Sequence, residues 1–157
     1  MYNKRRTIIE RLKSHTDEID DLTKGLTDEQ RKKHPSEGKW SLHELTMHLC
    51  EVQDVFIERM ARMLTEDKPK IAPFSPDEAR ENGSHLAENF DRRVKEFGVQ
   101  RATLAALLET LTDEQWQLEG EHPELRGYTI EISMEGLMRH EEHHLDQMYN
   151  VFYGTGR

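Results

Sequence analysis

Apolar side chains recur at alternating steps of three and four in four separate segments, a rhythm that allows this chain little but a helical fold. The first stripe runs Ile8, Leu12, His15, Ile19, Leu22 and Leu26. The second is Leu42, Leu45, Leu49, Val52, Phe56, Met60 and Met63, opened by Ser41 as N-cap with Glu44 three residues on. Pro69, Pro73 and Pro76 then break the pattern in a segment long enough to be a crossover, and Ser75-Pro76-Asp77-Glu78 reads as a helix start. A third stripe follows an interruption at Asn82-Gly83: Leu86, Phe90, Val94, Phe97, Leu104, Leu108 and Leu111. After a polar loop containing Gly120, Pro123 and Gly127, the fourth runs Met134, Leu137, Glu141, His144, Met148 and Val151. The best strand signal, Tyr128 to Ile132, is too short to build a sheet. The expected fold is all-α: a four-helix bundle, up-down-down-up or similar, with a long crossover between helices two and three.

At 157 residues the chain reads as one domain over 1–157, with core enough to need no disulfide. Its single Cys50 cannot bridge to itself and no secretory segment opens the sequence, so a cytoplasmic setting is expected. No apolar run approaches the roughly 18 residues of a membrane span. Asp and Glu outnumber Lys and Arg by 31 to 22, a net charge of −9 that opposes phosphate binding and so excludes nucleic acid as the expected partner.

Against this background the histidines stand out. His140 and His144 are four apart on the last helix, one above the other on a single face, and two imidazoles so placed can share a divalent ion. His140-Glu141-Glu142-His143-His144 also matches the zinc-protease pattern His-Glu-x-x-His, but Gln147 and Asn150 stand where an extended protease motif needs Gly and His. Only thirteen residues follow His144, so a third ligand is sought upstream. His48, between Leu45 and Val52 on the core-facing stripe of the second helix, is the best candidate. Three neutral imidazoles would leave coordination positions open, as catalytic sites do. His43 and His143 are the rivals, both read as surface residues.

A weak internal repeat bears on the same point. Leu-Thr-Asp-Glu-Gln occurs at Leu26 to Gln30 and at Leu111 to Gln115, each time ahead of a His-bearing helix. The repeat would relate the second and fourth helices by a pseudo-twofold, bringing His48 and His144 together.

With Trp40-Ser41 followed by His48-Leu49 and Glu51, and with His140, His144 and Gln147 in the last helix, the chain resembles the DinB and YfiT-like superfamily of metal-binding helical proteins. The resemblance extends to the order of elements over nearly the whole length. It implies a four-helix bundle, often a homodimer, holding one zinc or nickel ion on His48, His140 and His144. It further implies chemistry on a small molecule: transfer of a low-molecular-weight thiol to an electrophile, a metal-dependent hydrolase reaction, or non-enzymatic ligand capture.

Glu51 and Gln147 each lie three residues past a proposed ligand on the same face, positions from which a side chain can orient an imidazole. No residue is singled out as catalytic. Without the downstream ligand, Glu141 does not read as a protease-type base. Cys50, on the far side of the helix from His48, reads as a small buried residue, and the methionines read as core. The apolar neighbours Leu45, Val52, Leu137 and Met148 predict a greasy cavity around the ion.

Overall fold

The computed structural model describes residues 1–75 and 81–154, so the helix start predicted at Ser75-Pro76-Asp77-Glu78 lies outside the described residues from 76 on. Four long helices carry the fold: α1 (Lys4–Thr23), α3 (Leu42–Thr65), α5 (Phe90–Thr110) and α7 (Ile130–Phe152). Three short ones, α2 (Asp28–Lys32), α4 (Ser84–Ala87) and α6 (Asp113–Trp116), stand in the connections. Every helix start except that of α4, which follows Gly83, answers to a capping side chain. Ser41 accepts from the Glu44 amide while the Glu44 carboxylate accepts from the Ser41 amide, which is the capping box the sequence predicts. Both copies of the Leu-Thr-Asp-Glu-Gln repeat form the same box, on Thr27 before α2 and Thr112 before α6.

Each of α1 and α3 packs against both α5 and α7, so α1 faces α3, and α5 faces α7, across the diagonals of the bundle. The core divides into two apolar clusters, and their membership fixes the helix directions. One cluster takes Ile8 and Leu12 of α1, Met60 and Met63 of α3, Leu104 and Leu108 of α5, and Met134 and Leu137 of α7. The other takes Ile19 and Leu22, then Leu45 and Leu49, then Phe90 and Phe97, then Leu145 and Met148. Thus α1 and α7 run from the first cluster to the second and α3 and α5 run back, the up-down-down-up order. Because α3 and α5 point the same way, the chain between them must travel the length of the bundle.

That crossover is tied down along its first half. Arg62 and Arg59 of α3 donate to the carbonyls of Lys70 and Ala72, both at 2.9 Å. Lys70 bridges Glu121 beside a two-residue hairpin, β1 (Glu119–Gly120) with β2 (Tyr128–Thr129). Gly120 is required here: a Cβ at that position would lie 2.8 Å from the Ile71 side chain. The predicted strand at Tyr128 is therefore real but stops at Thr129, whose hydroxyl caps α7.

Between the two apolar clusters lies a buried polar layer with one residue from each long helix: His15, Gln53, Arg101 and Glu141. Arg101 reaches across the α5–α7 diagonal to pair with both oxygens of Glu141. It also donates to Gln53 Oε1 and to the Leu12 carbonyl, each at 2.7 Å, while His15 Nδ1 lies 2.8 Å from Glu141 Oε1. Gln53 in turn donates to the Phe97 carbonyl and to Gln100. Every strong donor and acceptor of the layer is thereby engaged, the condition for burying a charge pair in an otherwise apolar interior.

Candidate metal centre

The geometry of the bundle places α3 and α7 side by side and antiparallel, which brings His48 of α3 against His140 and His144 of α7. Their donor nitrogens all lie within 4.8 Å of one another. His140 Nε2 is 3.2 Å from His48 Nε2 and 3.1 Å from His144 Nε2. A neutral ring nitrogen has either one hydrogen or one lone pair to offer, so His140 Nε2 cannot be fully satisfied by two facing nitrogens at once. A shared cation satisfies three lone pairs together. With metal–nitrogen bonds of about 2.0–2.1 Å and angles from 90° to tetrahedral, two ligating nitrogens sit roughly 2.9–3.4 Å apart, a range that includes both measured separations.

The protonation states suit the same role. Burial, with the neighbouring imidazoles adding to it, pushes His48 down to about 3 and His140 down to about 4. Burial also lowers His144, against the opposing effect of its bond to Gln147. All three rings are thus neutral near pH 7, as ligands must be. Gln147 Oε1 lies 2.6 Å from His144 Nδ1, and since an amide oxygen accepts, Nδ1 carries the hydrogen and Nε2 turns its lone pair toward the other two rings. His48 Nδ1 and His140 Nδ1 are buried without a partner among the described residues. The donor set therefore fits a divalent ion, with outer support concentrated on one ligand.

Trp40 closes one side of the cluster. Its indole stacks parallel to His144 with ring centres 6.2 Å apart and meets His48 edge-on at 5.1 Å. The same residue borders a cleft of about 410 Å³ walled by His34, Glu37, Lys39 and Glu44. That wall carries charged side chains beside the indole, whereas Leu45, Val52, Leu137 and Met148, from which a greasy cavity is predicted, are all buried in the two core clusters.

The other sequence candidates fall into place around the triad. Glu51 lies one turn past His48, but its carboxylate is 2.9 Å from His85 Nε2, so it orients that ring instead. His43 is buried and not on the surface as expected; it donates through Nε2 to the His85 carbonyl at 2.8 Å, because α4 folds over that face of α3. His143 is exposed. Glu141 is wholly committed to Arg101 and His15; burial pushes its carboxyl up, but the charge and hydrogen bonds of Arg101 and His15 together hold it below the usual range. Cys50 is buried, which pushes its thiol up to about 12 and removes it as a nucleophile.

Sequence reasoning missed His85 and Arg101. Nothing around Gly83-Ser84-His85 marks the histidine, since its place depends on the crossover. Arg101 did leave a signal: it fills the helical step between Phe97 and Leu104 in the third stripe, where a charged residue must be buried or break the face.

Comparison with known proteins is consistent with this architecture. YuaE of Bacillus subtilis, an uncharacterized protein, is 28% identical over 141 residues, covering 82% of this chain and 86% of that protein. The Oceanobacillus iheyensis protein named "Putative metal-dependent hydrolase OB0413" is 22% identical over 146 residues, covering 87% of this chain and 79% of its own length. The solved structure of Bacillus subtilis YfiT, described as "a probable metal-dependent hydrolase with an unusual four-helix bundle topology", superposes with a TM-score of 0.84 at 22% identity, over 94% of this chain and 85% of that one. Since the family model of the DinB superfamily matches residues 11–148, reaching into all four long helices and including the three converging histidines, the chain belongs to that superfamily.

Proposed function

We propose that this protein is a divalent-metal-dependent enzyme acting on a small molecule, with His48, His140 and His144 holding one zinc or nickel ion. The observation that carries the reading is the convergence of three imidazoles, one buried and two half-buried, with His144 turned inward by Gln147. A bound ion would supply Lewis acidity and lower the pKa of a protic nucleophile. The chain's own contribution is to keep three imidazoles neutral, to fix the tautomer of His144, and to shield one side of the site with Trp40. Water is the nucleophile favoured by the names of the relatives, making hydrolysis of a small ester or amide the leading reaction. Transfer of a low-molecular-weight thiol to an electrophile uses the same activation and is the second reading. The net charge of −9 disfavours a nucleic-acid substrate, and among the described residues no helix is long and apolar enough to cross a membrane. A reducing, cytoplasmic setting accords with the lone buried Cys50.

The test is elemental analysis of tag-free protein, followed by assays of ester and amide hydrolysis and of thiol conjugation. About one ion per chain is expected, falling sharply in His48→Ala, His140→Ala and His144→Ala while helicity persists. Full metal retention in His48→Ala would sink the site. Hydrolysis or conjugation no faster than in His140→Ala would leave a metal-binding protein without catalysis.

A further inference from the structure

A fourth imidazole stands beside the triad and, among the described residues, belongs to no metal-ligand group. His85, on α4, is 2% exposed, and its ring centre lies 6.4 Å from that of His48 and 6.2 Å from that of Trp40. Its two nitrogens have opposite fates. Nε2 lies 2.9 Å from Glu51 Oε2, and because a carboxylate only accepts, Nε2 carries the hydrogen. Nδ1 is left with its lone pair, buried and without a hydrogen-bond partner among the described residues. Leaving a buried acceptor unpaired costs stability. The His85 carbonyl receives the hydrogen of His43 Nε2, so residues 43 and 51 of α3 grip α4 from either side of His48.

We propose that Glu51 and His85 form the proton-handling pair of this site, His85 Nδ1 accepting the proton of the nucleophile. A carboxylate that orients an imidazole and leaves its other nitrogen free is the arrangement general-base chemistry needs. In the attacking step the O–H or S–H bond breaks and its proton passes to Nδ1. The freed electron pair forms the new bond to the electrophilic carbon. The leaving group then departs with its bonding pair and takes the proton back from Nδ1, so His85 ends neutral and nothing is oxidised or reduced. Glu51 stabilises the imidazolium between the two steps. The inference rests on the metal reading above, because it is the ion that makes the nucleophile acidic enough to give up its proton.

The experiment loads the protein with cobalt(II), whose visible absorption reports three-imidazole coordination, and titrates it with 2-mercaptoethanol in weak buffer containing a pH indicator. Thiol bound as thiolate must lose about one proton. In the native protein His85 retains most of it, so release to solution is well under half. In His85→Phe, which keeps the ring volume, about one full proton per bound thiol appears, with cobalt affinity unchanged within roughly threefold. Glu51→Gln, at a partly exposed position, gives an intermediate release and serves if His85→Phe fails to fold. No cobalt spectrum in the native protein would overturn the metal reading itself. A cobalt spectrum with no thiol bound, or with full proton release from the native protein, overturns the role of His85 alone. Loss of cobalt in a folded His85→Phe overturns it too, by making His85 a ligand.

Discussion

Replacing Arg101 by Met tests whether the polar layer between the two apolar clusters is what holds the bundle in register. The side chain is 2% exposed and Glu141 is 1% exposed, so removing the guanidinium strands a carboxylate in the interior with only His15 beside it. Breaking a buried pair from one side costs about 3–5 kcal/mol, a large share of the 5–15 kcal/mol that separates a typical folded domain from its unfolded chain. At an unfolding entropy of about 2.1 cal/mol/K per residue over 157 residues, that loss lowers the melting temperature by roughly 10–15 °C. The double variant Arg101→Met/Glu141→Leu removes both charges. It leaves Gln53 Oε1, the Leu12 carbonyl and His15 Nδ1 short of a partner, and it should recover about 2 kcal/mol relative to the single change. Urea unfolding of the metal-free proteins, followed by circular dichroism, measures both. A single variant within about 1 kcal/mol of the native protein, or a double variant no better than the single, would refute the argument that the pair is buried, mutually compensated and costly to split.

Three further outcomes are expected. Gln147→Leu frees the His144 ring to turn away, so it should weaken metal binding by about 10- to 100-fold in a competitive chelator titration; unchanged affinity would show that the Gln147 contact does not set the tautomer. For pH, His48 and His140 titrate lower in the folded chain than in the unfolded one, at about 3 and about 4, so below pH ~6.5 the unfolded chain binds more protons. Stability of the metal-free protein is therefore complete above that pH and falls on acidification by at most about 1.4 kcal/mol per unit for each ring, less as water screens the opening site; a flat profile from pH 6.5 to 4.5 would contradict the burial. The protein is also expected to be a homodimer, and a concentration-independent mass near 18.5 kDa in equilibrium sedimentation would exclude it. The apolar stripes of α1 and α5 are consumed inside the bundle, so pairing must use other residues.

Why the triad could be read from the sequence while its surroundings could not follows from the range of the interactions involved. His140 and His144 are set by helical geometry alone, and His48 by the apolar rhythm of one further helix, so two local patterns and one helix–helix contact define the cluster. The capping boxes at Thr27, Ser41 and Thr112 are likewise closed within four residues. Glu51 fails such a reading because two acceptors of its charge lay within reach: His48, near in sequence, and His85, 34 residues on and delivered only by the crossover. His43 was assigned to the surface for the same reason, since its burial depends on α4. Arg101 is the intermediate case. Its position in the stripe shows that it faces inward, but its partners come from three other helices and become visible only when all four are packed. Local chemistry thus specifies which side chains can bind an ion, and the long-range chemistry of the crossover and the polar layer specifies what stands next to it. In this chain the second kind includes His85, which only the segment carrying α4 delivers to the side of the triad.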